Sequence, residues 1–366
     1  EEVASNVPRL DYSDGTCPSL LLEPASTNLV TYSELFSDAS WGKVASSVTS
    51  GFISPDGTAN AFKFIPSSSG TQHYLKSINF LSSEKTFSFY AKKGEYDRIA
   101  SYFETSNTSI IFDLTNGVTL TNDGIPNPSA FSIKECANGW YKCSSTEVGA
   151  SNCDIFSVLG TSSIMVGDGT SGVYIYGAQL EANSYATSYI KTIGTAQTRS
   201  ADTANGAGNS TVINSSEGVL YFESKSFLSN GSDTRISISD GTLNNRVSFS
   251  YGTGANLVFC LVTMAGAPVL LSTSLALSNL DEYKKFAIKW KNGDNSFYVN
   301  GVEIFNSTTT FTSGVMNQLQ LVGASGSLPF YGKTKSLQVY TTALSNIEIE
   351  KLTSWTSFTA MANALN

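Results

Sequence analysis

The stretch YKKFAIKWKNGDNSFYVNGVEIF, residues 283–305, alternates dry and wet side chains with a period of two. Phe286, Ile288 and Trp290 fall on one side, and Lys285, Lys289 and Lys291 flank them on the other. That is the period of a strand with one face on a core and one in water, and a helix cannot satisfy it. Asn292-Gly293 and Asn300-Gly301 mark tight reversals, so the stretch predicts an antiparallel meander with its lysines in solvent. The design recurs. In TFSFYAKKGEYDRIASYFE, Phe87, Phe89 and Ala91 share a face opposite Ser88 and Tyr90. KKGE reads as a turn, after which Ile99, Ser101 and Phe103 share a face of a neighbouring strand. In SAFSIKECANGWYKCSSTEV, Ala137-Asn138-Gly139 is the turn and Trp140 enters the returning strand as a core residue.

Helical periodicity is nearly absent until the end, where Ser345 and Glu348 have capping-box spacing and predict a short helix. At 366 residues the chain is too long for one ordinary sandwich. Residues 196–216, AQTRSADTANGAGNSTVINSS, hold almost no large apolar side chain and read as a linker. The expected fold is all-β: two antiparallel β-sandwiches with a short C-terminal helix. The expected boundaries are an extended arm over 1–30, a domain over 31–195, the linker over 196–216 and a second domain over 217–366.

Only 14% of residues are charged, and the net charge is −8. No basic cluster exists to neutralise phosphates, which argues against nucleic acid and anionic membrane as partners. No stretch approaches the roughly 20 apolar residues a membrane helix needs. The chain opens on Glu1-Glu2 without a signal peptide and reads as one part of a longer polypeptide. Five cysteines, Cys17, Cys136, Cys143, Cys153 and Cys260, cannot all pair, and one histidine makes a zinc site improbable. Buried free thiols and folding in a reducing cytoplasm are the expectation; a Cys136–Cys143 pair across the hairpin is the alternative.

Catalytic constellations are missing. Glycoside hydrolysis needs paired carboxylates, which a strand provides as Glu-x-Asp-x-x-Glu, and no such run occurs. Glu348 and Glu350 lie on the predicted helix, Glu223 has no second acid two residues away, and Asp233 and Asp240 fall in turn regions. His73 has no Gly-x-Ser-x-Gly elbow to serve. Sugar binding instead needs aromatic faces beside hydroxyl- and amide-binding side chains. Tyr74, Tyr90, Tyr96 and Tyr102, with Arg98, are the candidates, Tyr90 and Tyr102 being expected on adjacent strands of one sheet.

Several elements together resemble a known family. Residues 7–41, VPRLDYSDGTCPSLLLEPASTNLVTYSELFSDASW, carry a Pro-Arg-x-Asp-Tyr element (Pro8 to Tyr12) and a Leu-Leu-x-Glu-Pro-x-x-Thr-Asn-Leu element (Leu21 to Leu29). FSFYAKKG, NGWYKCS and VYIYGAQLEANSYATSYIKT…TRSAD follow in order. This series resembles tail-fibre and other adhesive virion proteins of tailed bacteriophages and prophages. The resemblance implies a jelly roll like those of carbohydrate-binding modules in the first half. Residues 215–355 are similar to concanavalin A-like (laminin G-like) sandwiches. It further implies a non-enzymatic virion protein, assembled in the host cytoplasm and recognising a host cell-surface glycan, with other virion subunits as partners and a homotrimer as the default assembly. Two alternatives are a purely structural virion component, such as a head-decoration or fibre-shaft protein, and a polysaccharide depolymerase. No cofactor is required; both resembled folds accommodate a structural calcium, for which Glu34, Asp38 and Glu181 are candidates in the first domain and Asp281 and Asp294 in the second. The resemblance also gives the aperiodic run after Leu180 a role, as a tail laid over the sandwich and anchored by Tyr185 and Tyr189. An exposed loose linker is the other reading.

Overall fold

The computed structural model describes residues 8–15, 17–76, 84–149, 152–162, 164–227, 234–252 and 256–355. Strands dominate, every ladder between named strands is antiparallel, and the one α-helix among the described residues, Asn346–Thr353, is C-terminal. The chain divides into two compact units, residues 25–200 and residues 201–366, the second taking in the N-terminal segment up to Pro24. The linker expected over 196–216 is shared between them: Gln197–Arg199 pairs with Ser26–Asn28 in the first unit, and Ala207 pairs with Leu319 in the second.

The first unit is a sandwich of two six-stranded sheets. One runs Val118–Thr121, Thr108–Asp113, Arg98–Phe103, Cys153–Ser157, Tyr74–Lys76, Gly42–Val44. The other runs Ala130–Glu135, Trp140–Val148, Glu84–Lys92, Val173–Glu181, Ala61–Pro66, Ser46–Phe52. Between them the alternating side chains meet, with Phe87, Phe89, Ile99, Phe103, Phe112 and Ile155 fully buried. Glu84–Lys92 and Arg98–Phe103 do not pair, contrary to the expectation of adjacent strands. KKGE carries the chain from one layer to the other, so period-2 reading found both strands and misjudged their partnership. Trp140 is buried as expected, but it belongs to a cluster on the outer side of its sheet, with Tyr176 and Ala61.

The tail after Glu181 lies against the outer face of that second sheet. Thr86 and Thr146 hydroxyls donate to the carbonyls of Asn183 (2.7 Å) and Ser184 (3.3 Å), and Lys142 donates to that of Thr187 (2.6 Å). Gln179 receives the Ile190 N–H (2.6 Å), and Asn28 donates to the Ile190 carbonyl (2.8 Å). Buried Glu181 accepts from Ser26 (2.6 Å), the Thr187 N–H (3.0 Å) and the Thr187 hydroxyl. Tyr189 anchors the segment through Ser33 (2.6 Å). Side chains reaching backbone groups need no hydrophobic period, which is why the run looked structureless in sequence. Gly177 makes room: at φ +61° in a bulge, its missing Cβ would stand 3.1 Å from the Tyr90 ring and 3.3 Å from that of Tyr189.

In the second unit a seven-stranded sheet, from Leu10–Asp11 and Ser19–Leu22 at one edge to Val302–Ser307 at the other, faces a second sheet. That second sheet runs Ala267–Leu271, Leu257–Met264, Arg246–Tyr251, Thr234–Ser239, Gln318–Gln320. Phe222, Phe249 and Phe286 pack ring to ring at 4.5–5.1 Å in the core. Ser19–Leu22 adds to the edge formed by Gly332–Tyr340, and Arg9 ties the segment down through Glu23 (2.8 Å) and Asp202 (2.5 Å). The capping box of Ser345 and Glu348 forms as predicted. The lysine face expected in water is different: the helix covers it, with Ile349 packed on Val219, Tyr221, Ala287 and Tyr298. Lys289 is consequently buried, bonded to Asn346 (2.7 Å) and Asp294 (2.6 Å).

Candidate functional site

The sheet of the first unit that the tail does not clamp carries the candidate site on its outer face. Core-facing residues alternate with outward ones along each strand, so the register fixes what lies side by side. One transverse row reads Leu120, Ile111, Ala100, Phe156, Tyr74, Val44, one residue from each of the six strands. All six are apolar or aromatic. Five interstrand spacings make this row about 24 Å long. Its middle members are buried and its outer members, Leu120, Tyr74 and Val44, are progressively open to solvent. Tyr74 stacks on Phe156 with ring centroids 4.7 Å apart and an interplanar angle of 16°, and Tyr102 meets Phe156 edge-on at 5.2 Å.

Polar rows flank the stripe. On one side lie Ser109, Tyr102, Asp154 and Lys76, again by register. The Tyr102 hydroxyl donates to Asn107 (2.9 Å), and Glu104 accepts from Lys76 and Asn152. Burial pushes the Glu104 carboxyl up, but the bonds from Lys76 and Asn152 outweigh it and hold the group below its ordinary value. Burial, then the charges of Glu104 and Asp154, raise the Tyr102 phenol. On the other side Arg98 lies 3.6 Å from Asp113, whose carboxylate is also held by the N–H groups of Thr115 and Asn116. The buried Arg98 Nε has no hydrogen-bond acceptor.

Tyr74, Tyr102 and Arg98 therefore share one face. Tyr90 does not: it lies on the opposite sheet, 6.0 Å from the Tyr176 ring and 6.2 Å from that of Tyr189. Tyr96 packs half-buried against the sandwich core. Phe156 was missed, although its strand, CDIFS, announces it: Cys153 and Ile155 face the core, so Phe156 must face out.

Of the residues considered for calcium, Glu34, Asp38, Glu181 and Asp294 have other partners. Glu34 accepts from Tyr176 (2.9 Å), Tyr189 (3.2 Å), Asn60 (3.2 Å) and Lys191 (2.6 Å). Asp38 accepts the Ser40 N–H (2.8 Å) in a turn, Glu181 holds the tail, Asp281 is exposed, and Asp294 pairs with Lys289. Among the described residues no group of three or more His, Cys, Asp or Glu side chains is placed to hold a metal ion.

Glu348, Glu223, Asp240 and His73, weighed for catalysis, are similarly engaged. Glu348 caps the helix, Glu223 stands 3.9 Å from Lys335, and Asp240 is held in a turn by Thr242 and Asn245; Asp233 lies outside the described residues. His73 is fully buried, with both ring nitrogens facing backbone carbonyls of Ala45, Ser69 and Met165. Cys143, Cys153 and Cys260 are buried, Cys136 is half-buried and Cys17 is exposed. Cys136 stands opposite Trp140 and Cys143 opposite Ile133, so the hairpin does not bring the two thiols face to face.

Residues 226–350 match a family model described as the Concanavalin A-like lectin/glucanases superfamily. No curated protein matches the chain. Similar solved structures include the CBM40 of the Ruminococcus gnavus IT-sialidase bound to α2,3 sialyllactose, at 20% identity over 41% of this chain and 94% of that one, TM-score 0.33. Domain 4 of AbnA, a GH43 extracellular arabinanase from Geobacillus stearothermophilus, in complex with arabinotriose, is 17% identical over 47% and 81%, TM-score 0.31. CG-16, a homodimeric agglutinin from chicken liver, is 12% identical over 38% and 99%, TM-score 0.26.

Proposed function

We propose that this chain is a non-catalytic adhesin that binds glycan on the outer face of its first domain. The observation that carries the reading is the apolar row through Phe156 and Tyr74, with Tyr102 beside it. Sugar rings present flat C–H faces that stack on aromatic rings, while their hydroxyls need donors and acceptors at the side. Tyr102, Lys76, Asn107 and the spare Nε donor of Arg98 are of that kind. The superfamily matched by the second domain names lectins and glucanases together, so it supports binding and hydrolysis alike. The placement of three acids weighed for catalysis favours binding, because Glu348 caps a helix, Asp240 sits in a turn and Glu223 lies beside a lysine. The setting on a bacteriophage particle, with host glycan as target and other virion subunits as neighbours in a homotrimer, rests on the motif series from Pro8 to the TRSAD element.

The test is a glycan array probed with the whole chain and with Tyr74→Ala, Tyr102→Ala and Phe156→Ala variants. The reading expects a defined set of positive glycans whose signals fall in all three variants. Array signals that survive all three substitutions, or a native chain that releases new reducing ends from host polysaccharide, would refute it.

A further inference from the structure

The second domain holds a polar arrangement that the first domain's site does not involve. Along Arg246–Tyr251, Val247, Phe249 and Tyr251 face the core, so Arg246, Ser248 and Ser250 face outward. Register places Ser239 and Thr263 beside Arg246, Ser237 and Leu261 beside Ser248, and Arg235 and Phe259 beside Ser250. The outer face is thus a floor of small hydroxyl side chains between two arginines, with Phe259 at one margin.

Arg246 is half-buried, makes no ion pair or side-chain hydrogen bond among the described residues, and has a buried Nε with no acceptor. Burial, and then the charge of Arg235 close by, lower its hold on its proton. Beneath it on the same strand Ser248 is 4% exposed, and its buried hydroxyl also has no partner. A guanidinium kept from water and placed near a second one is costly unless an anion shares the site. A buried hydroxyl without a partner adds to that cost. Both costs disappear if an oxyanion pairs with Arg246 and accepts from Ser248.

We propose that this face binds the anionic group of an acidic saccharide, a carboxylate or a sulfate ester. Arg246 supplies a forked pair of donors, Arg235 adds charge, and Ser248 adds a third donor. Ser237 and Ser239 are buried beneath the site and bonded within the protein, to the Val322 carbonyl and to Gln320, and Phe259 offers an apolar edge at its margin. A phosphate-backbone ligand is disfavoured, since two arginines on a chain of net charge −8 do not make a basic stripe. This site is independent of the aromatic row of the first domain.

The experiment titrates the whole chain with polygalacturonate (carboxylates), dextran sulfate (sulfate esters), uncharged dextran and a short single-stranded DNA, at two salt concentrations. The expected result is salt-sensitive binding of one or both acidic polysaccharides and none of dextran. Arg246→Ala should weaken it by about tenfold or more, the range for a charged hydrogen bond. Arg246→Lys should fall between, because it keeps charge and loses the fork. Neither variant should melt earlier, since no bond of Arg246 is lost. Tyr90→Phe, on the clamped sheet of the first domain, should bind the acidic polymers as the unaltered chain does. Equal binding by Arg246→Ala, no binding of either polysaccharide, or tighter binding of the DNA than of both would overturn the proposal.

Discussion

The two outer faces of the first domain hold similar side chains and differ in what lies on them. One gathers Tyr90, Trp140, Tyr174, Tyr176 and Tyr189, and its polar residues Thr86, Thr146, Gln179 and Glu181 hold the backbone of residues 183–190. The other gathers Tyr74, Tyr102 and Phe156, and Lys76, Glu104 and Asn152 bond to one another at its side. An outward tyrosine is the same letter on both. What separates a packed face from an accessible one is whether another segment's backbone satisfies its polar groups.

The largest expected effect is on the clamped face. Glu181→Ala strands the Thr187 N–H and two hydroxyls and should cost about 3 kcal/mol, read as a lower urea midpoint. A loss within error would mean that the tail is not held there and that the two faces do not differ as described. Next, Phe156→Ala should weaken binding of an array-positive glycan by about tenfold. Isothermal titration measures this, and Tyr90→Phe is the matched control that should leave the affinity unchanged.

A smaller effect concerns pH. The Glu104 carboxyl sits below its ordinary value of 4.5, so its pairing contributes stability above that pH and loses it as acid protonates the folded form. Lys76→Met should therefore flatten part of the fall in urea midpoint below about pH 4.5; an unchanged acid limb would show that the pair contributes nothing there. The smallest signal is thiol reactivity. Cys17 should react at once with a thiol reagent, Cys136 slowly, and the buried Cys143, Cys153 and Cys260 only on unfolding, the Cys260 thiol being pushed up to about 12 by burial. Glu181→Ala should speed Cys136, which packs in the clamped cluster with Tyr189; an unchanged rate would show that loosening the tail leaves that cluster intact.

Much of this was legible in the letters. Alternation identified the strands, Ala137-Asn138-Gly139 the turn into Trp140, and Ser345 with Glu348 the helix start, because each is a local rule. Partnership between strands was not legible. KKGE looks like a hairpin turn, and nothing within those residues says that the chain changes layer. The lysine face of Lys284–Lys291 looked wet because the covering helix arrives some sixty residues later. Tyr74 and Tyr102 were found by residue type, whereas Phe156 needed the register with Ala100 and Tyr74 before it stood out. The tail's placement was expected, but not its means, since hydrogen bonds from side chains to backbone leave no period to detect.

Hydroxyl-radical footprinting of the whole chain, with and without an array-positive glycan, tests the difference between the faces most directly. Glycan should shield Tyr74 and Tyr102 from oxidation and leave Tyr90 and Tyr189 unchanged. Shielding of Tyr90 and Tyr189, with Tyr74 and Tyr102 unaffected, would place the ligand on the clamped sheet and contradict the account.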